Sequence, residues 1–166
     1  MILRETLNDT SLLAFAVRLG DGLLQSADKS DAGYSWKAPA SVGRHNLTGF
    51  SHGAAGVAYA MLELFRATGD SKYRTAAEEA FNYERHWFDA EAANWPDFRE
   101  EAGRRYRNAP RSFAATWCHG APGIALSRHW AAVRHLEANP LAPVRWVSWD
   151  GLLHSKELQF RMFTSE

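Results

Sequence analysis

The sequence predicts an all-α protein built as a partial α/α toroid, in which exposed outer helices alternate with enclosed inner helices. Apolar residues recur at helical spacing in four separate segments, and no segment before Pro140 alternates like a β-strand. In addition, one short motif occurs twice, with His119 following His52 by 67 residues. A repeat of this length is typical of helical units that bury their apolar faces by stacking on one another.

The first helix is predicted over residues 11 to 25. Its apolar residues recur at helical spacing, at Leu12, Phe15, Ala16, Leu19 and Leu23. The segment from about residue 26 to residue 46 is polar and contains Gly, Ser and Pro, so it is predicted as a loop.

The second and third helices are predicted over residues 53 to 68 and 71 to 88. The second is apolar or small on nearly every side as far as Glu63, which is typical of a helix enclosed by others. Gly69 suits the position just after its end, and Asp70 can cap the next helix. The third helix has one apolar and one charged face, which indicates an outer helix.

The fourth helix is predicted over residues 121 to 138, and its start repeats the start of the second. FSHGAAGVAYA at positions 50 to 60 aligns with WCHGAPGIALS at positions 117 to 127, which places His52 on His119. In a ring of alternating helices, each inner helix begins at the same end. We therefore expect the two His-Gly turns to lie side by side.

The second of these turns contains the only cysteine of the chain, Cys118. A lone cysteine is usually a small buried residue, and a histidine in a turn often only bonds a neighbouring carbonyl. However, helix N-termini present free N–H groups, and an imidazole can exchange a proton or bind a metal ion. Two histidines in register, His52 and His119, with one of them beside the sole thiol, favour a functional site.

Composition excludes several classes of protein. The 166 residues suit one domain, and 19 basic against 19 acidic residues give no charge that would favour nucleic acid as a partner. No apolar run approaches the roughly 20 residues that a membrane span requires. A single cysteine forms no internal disulfide, so we expect a cytoplasmic protein.

Four stretches resemble the lanthionine synthetase cyclase family, above all the C-terminal cyclase domain of class II lanthipeptide synthetases. They are LTGFSHGAAGVAYAMLEL, TGDSKYRTAAEEAFNYER, NWPDFR and WCHGAPGIAL, in this order. The resemblance runs from about Leu12 to about Ala138. It implies an α/α toroid around a zinc ion. It also implies a reaction that joins a cysteine thiol of a lanthipeptide precursor peptide to a dehydroalanine or dehydrobutyrine of the same peptide.

The resemblance also implies roles for individual residues. Cys118 would be a zinc ligand, His52 would do acid–base work, and His119 would assist proton transfer or touch the peptide. The family takes two further ligands from a later Cys-His pair, but this chain has no second cysteine. His154 is a poor replacement, because a lone histidine in an unpatterned segment is more often a surface residue.

We therefore expect residues 1–139 to form a partial cyclase domain and residues 140–166 an atypical tail. The zinc site would be incomplete, and the chain would be truncated, inactive alone and prone to self-association. Two other functions stay open. One is a non-catalytic remnant that binds a peptide. The other is a sugar-active enzyme on an α/α barrel, which would usually need two carboxylates where this chain has His and Cys.

Overall fold

The computed structural model of the protein describes residues 11–38, 45–99 and 111–135. Within these ranges the chain forms four helices and one short hairpin. The elements are α1 (Ser11–Ser26), β1 (Asp28–Ser30), β2 (Gly33–Ser35), α2 (Ala54–Thr68), α3 (Ser71–His86) and α4 (Ala121–His135). The all-α prediction is confirmed, and no helix in the described ranges is long and apolar enough to cross a membrane. The predicted tail and His154 lie outside the described residues.

Helix α2 is the one that the others enclose, as the sequence predicts. It packs against α1, α3 and α4, and its buried residues are Ala54, Ala55, Ala58, Met61, Leu62 and Leu64. Small side chains in its first turns allow neighbouring backbone to come close. The helix ends at Gly69, whose φ of 74° places it in the left-handed region and whose N–H donates to the Phe65 carbonyl.

Helix α3 lies outside α2 and has one solvent-exposed face. The Asp70 side chain caps it by accepting a hydrogen bond from the Lys72 N–H at 3.0 Å. Alanines on its inner face pack against α2, whereas its outer face carries ion pairs such as Arg74–Glu78 at 2.9 Å. An outer and an inner helix in this order agree with a partial α/α toroid. The ring as a whole stays a prediction.

The buried side of α1 is only partly the predicted one, since Ala16 and Leu23 pack on the core as expected. Phe15 and Leu19 are 51% and 56% exposed, whereas Val17 and Leu24 pack on the core. The reason is Gly20, because a Cβ there would lie 2.3 Å from Leu64 Cδ1. The helix therefore approaches α2 along its smallest residue rather than along the centre of its apolar stripe.

A hairpin stands where the sequence predicts only a loop. Its two antiparallel strands pair Asp28 with Ser35 and Ser30 with Gly33. Gly33 has a φ of 114°, and a Cβ there would lie 2.2 Å from the Glu79 carbonyl oxygen, so the hairpin packs directly on the backbone of α3. Strands of three residues are too short to show alternation, which is why the pattern missed them.

A buried ion pair joins α3 to α4. Arg128 Nε and Nη2 both donate to Glu84 Oε2, at 2.8 and 2.5 Å. The two residues are only 7% and 0% exposed. Burial raises the pKa of Glu84 to about 7, although the charge and hydrogen bonds of Arg128 oppose the shift.

Candidate functional site

The two His-Gly turns lie against each other. The rings of His52 and His119 are stacked, with centroids 5.8 Å apart and planes inclined by 27°. The Ser51 N–H donates to the Cys118 carbonyl at 3.2 Å, so the turns are joined through the backbone as well. Because these turns start α2 and α4, the prediction that they share one end of neighbouring inner helices is confirmed.

One pair of equivalent glycines, Gly56 and Gly123, has equivalent surroundings in the two turns. A Cβ on Gly56 would lie 1.8 Å from the Phe50 carbonyl oxygen. A Cβ on Gly123 would lie 1.7 Å from the carbonyl oxygen of Trp117, which holds the place of Phe50 in the repeat. No side chain fits at either position without moving the backbone. At this pair of positions the repeat seen in the sequence is therefore also a repeat of local geometry.

Cys118 is half-buried and sits in a tightly bonded turn. Thr116 Oγ1 lies 3.3 Å from Cys118 Sγ. The same hydroxyl donates to the His119 carbonyl and accepts from the His119 N–H, both at 3.2 Å. A Cβ on Gly49 would lie 2.7 Å from the Cys118 carbonyl oxygen, so the first turn also presses closely on this one.

The two histidines occupy different environments. His52 is exposed, whereas His119 is 7% exposed. Burial lowers the pKa of His119, the charge of Arg99 acts in the same direction, and Asp97 opposes both. The ring of His119 is therefore neutral at neutral pH.

A third segment, residues 94 to 99, completes the surroundings of the second turn. Arg99 Nε and Nη2 donate to the two oxygens of Asp97 at 2.9 and 2.5 Å. Burial acts to raise the pKa of Asp97, but the hydrogen bonds from Arg99 outweigh it, and the pKa is lowered. The Asp97 N–H donates to the Ser112 carbonyl at 2.8 Å, which fixes this segment beside the residues that lead into the second turn.

Sequence reasoning identified NWPDFR only as part of a resemblance and gave none of its residues a place in the site. The structure brings Asp97 and Arg99 near His119, and Asn94 to the start of α4. The NWPDFR motif is the sequence feature that could have identified these residues, but only the folded chain shows that the motif lies against the second turn.

Aromatic side chains border the exposed side of the site. Trp117, next to Cys118, is 63% exposed, and its ring meets the edge of Phe50 with centroids 6.4 Å apart. Phe50 in turn lies 6.0 Å from the ring of Tyr59. The rings of Tyr59, Phe50 and Trp117 thus form a continuous aromatic row beside the two turns.

The described residues do not fit a complete zinc site. In the described ranges, no three side chains of His, Cys, Asp or Glu lie close enough together to hold a metal ion. A protein zinc site normally needs at least three ligands. Cys118 therefore stands as a single candidate ligand.

The comparisons with known proteins identify a family for this chain. The profile of the family described as lanthionine synthetase C-like protein matches residues 3–139. The chain belongs to this family.

A curated relative, a lacticin 481/lactococcin biosynthesis protein of Lactococcus lactis subsp. lactis, is 28% identical over 91 residues. These residues are 54% of this chain but 9% of that protein, so the chain spans a small part of the relative it matches. No solved structure matches the chain.

Proposed function

We propose that this chain acts in lanthipeptide biosynthesis, as part of a site that forms thioether rings in a precursor peptide. One observation supports the proposal most strongly. In a member of the lanthionine synthetase C-like family, His52, Cys118 and His119 converge at two joined helix starts. The relative named for lacticin 481/lactococcin biosynthesis supports the same process.

The proposed reaction is an addition without net redox change. The sulfur of a peptide cysteine bonds to the β-carbon of dehydroalanine or dehydrobutyrine, and the π electron pair moves toward the α-carbon. A proton is then added to the α-carbon, and this proton balances the one that the thiol has lost. The product is an isomer of the substrate.

The two histidines suit the two proton movements of this reaction. His52 is exposed and can reach a bound peptide, so we assign it the delivery of the proton to the α-carbon. His119 is neutral and buried behind His52, so it can accept a proton or orient the first ring. The aromatic row of Phe50, Tyr59 and Trp117 would hold the peptide beside them.

In this proposal Cys118 contributes one zinc ligand, and the remaining ligands belong to a second Cys-His pair that this chain lacks. Since the sequence has one cysteine in all, we expect the purified chain to hold far less than one zinc ion and to close no rings by itself. Metal analysis of the chain tests this expectation. Tight binding of one zinc ion per chain would contradict it.

A second candidate function is a module that binds the peptide without turnover. It is favoured by the lack of a three-ligand group in the described part of the chain. A sugar-active enzyme has less support, because Asp97, the buried carboxylate next to the second turn, is already held by Arg99. Glycoside hydrolysis usually requires two carboxyl groups that flank the bond.

The deciding experiment fuses this chain to helical repeats that carry a Cys-His pair from another member of the family. The fusion is incubated with zinc and a dehydrated peptide. Ring closure does not change the mass, so it is counted by the loss of peptide thiols that N-ethylmaleimide can label. We expect rings to form.

Variants of the fusion assign the roles. Cys118→Ala should abolish both zinc binding and ring closure, and His52→Ala should leave zinc bound but slow closure. His129→Ala, which removes an exposed histidine of α4, is the matched control and should change neither. Peptide binding without ring closure would favour the binding module. If the fusion neither binds the peptide nor closes rings, the proposed function is refuted.

A further inference from the structure

The N–H groups that open α2 and α4 are satisfied in different ways. In α2 the Ala54 N–H donates directly to the Leu47 carbonyl at 3.0 Å. Ala121 and Ala114 hold the same places in the second repeat. There the side-chain amide of Asn94 stands between them. Its Oδ1 accepts from the Ala121 N–H at 2.8 Å, and its Nδ2 donates to the Ala114 carbonyl at 3.2 Å.

Asn94 is itself firmly held. It is 8% exposed, and its Oδ1 also accepts from the Trp95 N–H at 2.8 Å. Its backbone exchanges two hydrogen bonds with Asp89, at 2.9 and 3.2 Å. Backbone and side chain are therefore all engaged, so the amide is a fixed bridge rather than a mobile cap.

We infer that Asn94 is a positioning residue for the turn that carries Cys118 and His119. The turn folds around the amide, because a Cβ on Gly120 would lie 3.0 Å from Asn94 Oδ1 and 1.7 Å from the Ala114 carbonyl oxygen. Gly120 also has a φ of 88°, which a residue with a side chain rarely adopts. The bridge thus sets both where α4 begins and where the chain enters the turn.

The bridge requires an amide. It must accept a hydrogen bond at the helix start and donate one to the carbonyl of Ala114. A carboxylate can do only the first, and a methyl group can do neither. The importance of Asn94 for ring formation rests on the proposed function. Its control over the position of Cys118 does not.

The test uses the chain as it is, because Cys118 is its only thiol and reports on its own turn. The rate of Cys118 alkylation by iodoacetamide at fixed pH is compared for the parent chain, Asn94→Ala and Asn94→Asp. The matched control is Asp70→Ala, which removes the cap of α3 instead. A loss of stability without a change in the turn should affect both cap variants alike.

We expect Asn94→Ala to raise the alkylation rate about five-fold or more, because the loss of one helix cap raises the population of the locally opened turn by about that factor. Asp70→Ala should leave the rate within about two-fold, because its cap lies on another helix. In Asn94→Asp the Ala121 N–H should keep its protection from hydrogen exchange, whereas the alkylation rate should still rise because the Ala114 carbonyl has lost its donor.

Equal alkylation rates in Asn94→Ala and Asp70→Ala would overturn the inference. If Asn94→Ala does not fold, Asn94→Asp decides the test alone, and a rate equal to that of the parent chain would overturn it. Neither readout involves zinc or peptide. A failure of ring formation would therefore count against the proposed function and leave this inference standing.

Discussion

The two His-Gly turns share a motif and the close approach of Gly56 and Gly123 to a preceding carbonyl oxygen. They differ in the glycine after the histidine, whose φ is −133° at Gly53 and 88° at Gly120, and in their surroundings. The first is closed by its own backbone and leaves His52 exposed. The second is closed by Asn94, lies beside Asp97 and Arg99, and buries His119. Because the motif is common to both, the difference comes from the contacts of the second turn with residues 94 to 99. One motif thus presents one exposed histidine and one buried histidine.

The largest predicted effect tests what the two turns have in common. Gly56→Ala and Gly123→Ala should each lower the free energy of unfolding by about 3 kcal/mol, because each Cβ would overlap a carbonyl oxygen. Gly22→Ala in α1 is the control, since a Cβ there has nothing within 4 Å. It should be neutral or slightly stabilising. Denaturant unfolding measures all three, and a large loss for only one turn would break the equivalence.

The next effect is a pH dependence of the free energy of unfolding that involves α4 but not α2. Arg128 holds in α4 the place that Met61 holds in α2, and it pairs with the buried Glu84. The pKa of Glu84 rises in the folded chain from 4.5 to about 7, so the folded chain binds more protons than the unfolded chain between these values. The free energy of unfolding should therefore fall as pH rises through this window.

The fall attributable to Glu84 should be at most about 3 kcal/mol, at 1.36 kcal/mol per pKa unit. The measurement is the difference between the unfolding free energies of the parent chain and Glu84→Gln from pH 4 to pH 8. Glu78→Gln, an exposed change on the same helix, should give a nearly flat difference. A flat difference for Glu84→Gln as well would show that the pKa of Glu84 is the same in the folded and the unfolded chain.

A smaller effect concerns the Thr116 hydroxyl, which has no counterpart at the equivalent position of the first turn. Thr116 holds the place of Gly49 in the repeat, and its Oγ1 bonds both the N–H and the carbonyl of His119. Thr116→Val should therefore destabilise the chain by about 1 kcal/mol. Thr75→Val, at an exposed position of α3, should change the stability by less than about 0.5 kcal/mol. Thermal unfolding compares them, and equal melting temperatures would show that the hydroxyl contributes nothing.

Much of this comparison could be predicted from the sequence, because it depends on spacing. The starts of α2 and α4 follow from the repeat to within one residue, and the position of the two His-Gly turns side by side follows from two inner helices that begin at the same end. The ends of helices were also readable where a single residue decides them, as at Gly69.

What could not be predicted depends on contacts between distant segments. Asn94 reaches α4 across a loop, and nothing periodic marks the residue that will do so. The buried side of α1 is decided by how closely Gly20 fits against Leu64, which outweighs the position of the apolar stripe. The hairpin is too short to leave a pattern.

The central claim is that the two turns form one site, and the most direct test is the distance between their histidine rings. In a chain with labelled histidines, nuclear Overhauser effects between the ring protons of His52 and His119 are expected, because the ring centroids are 5.8 Å apart. The His52→Ala variant identifies the cross-peaks by their loss. Cross-peaks that disappear in this variant support a single site. A folded chain without any cross-peak between these two rings would contradict the account.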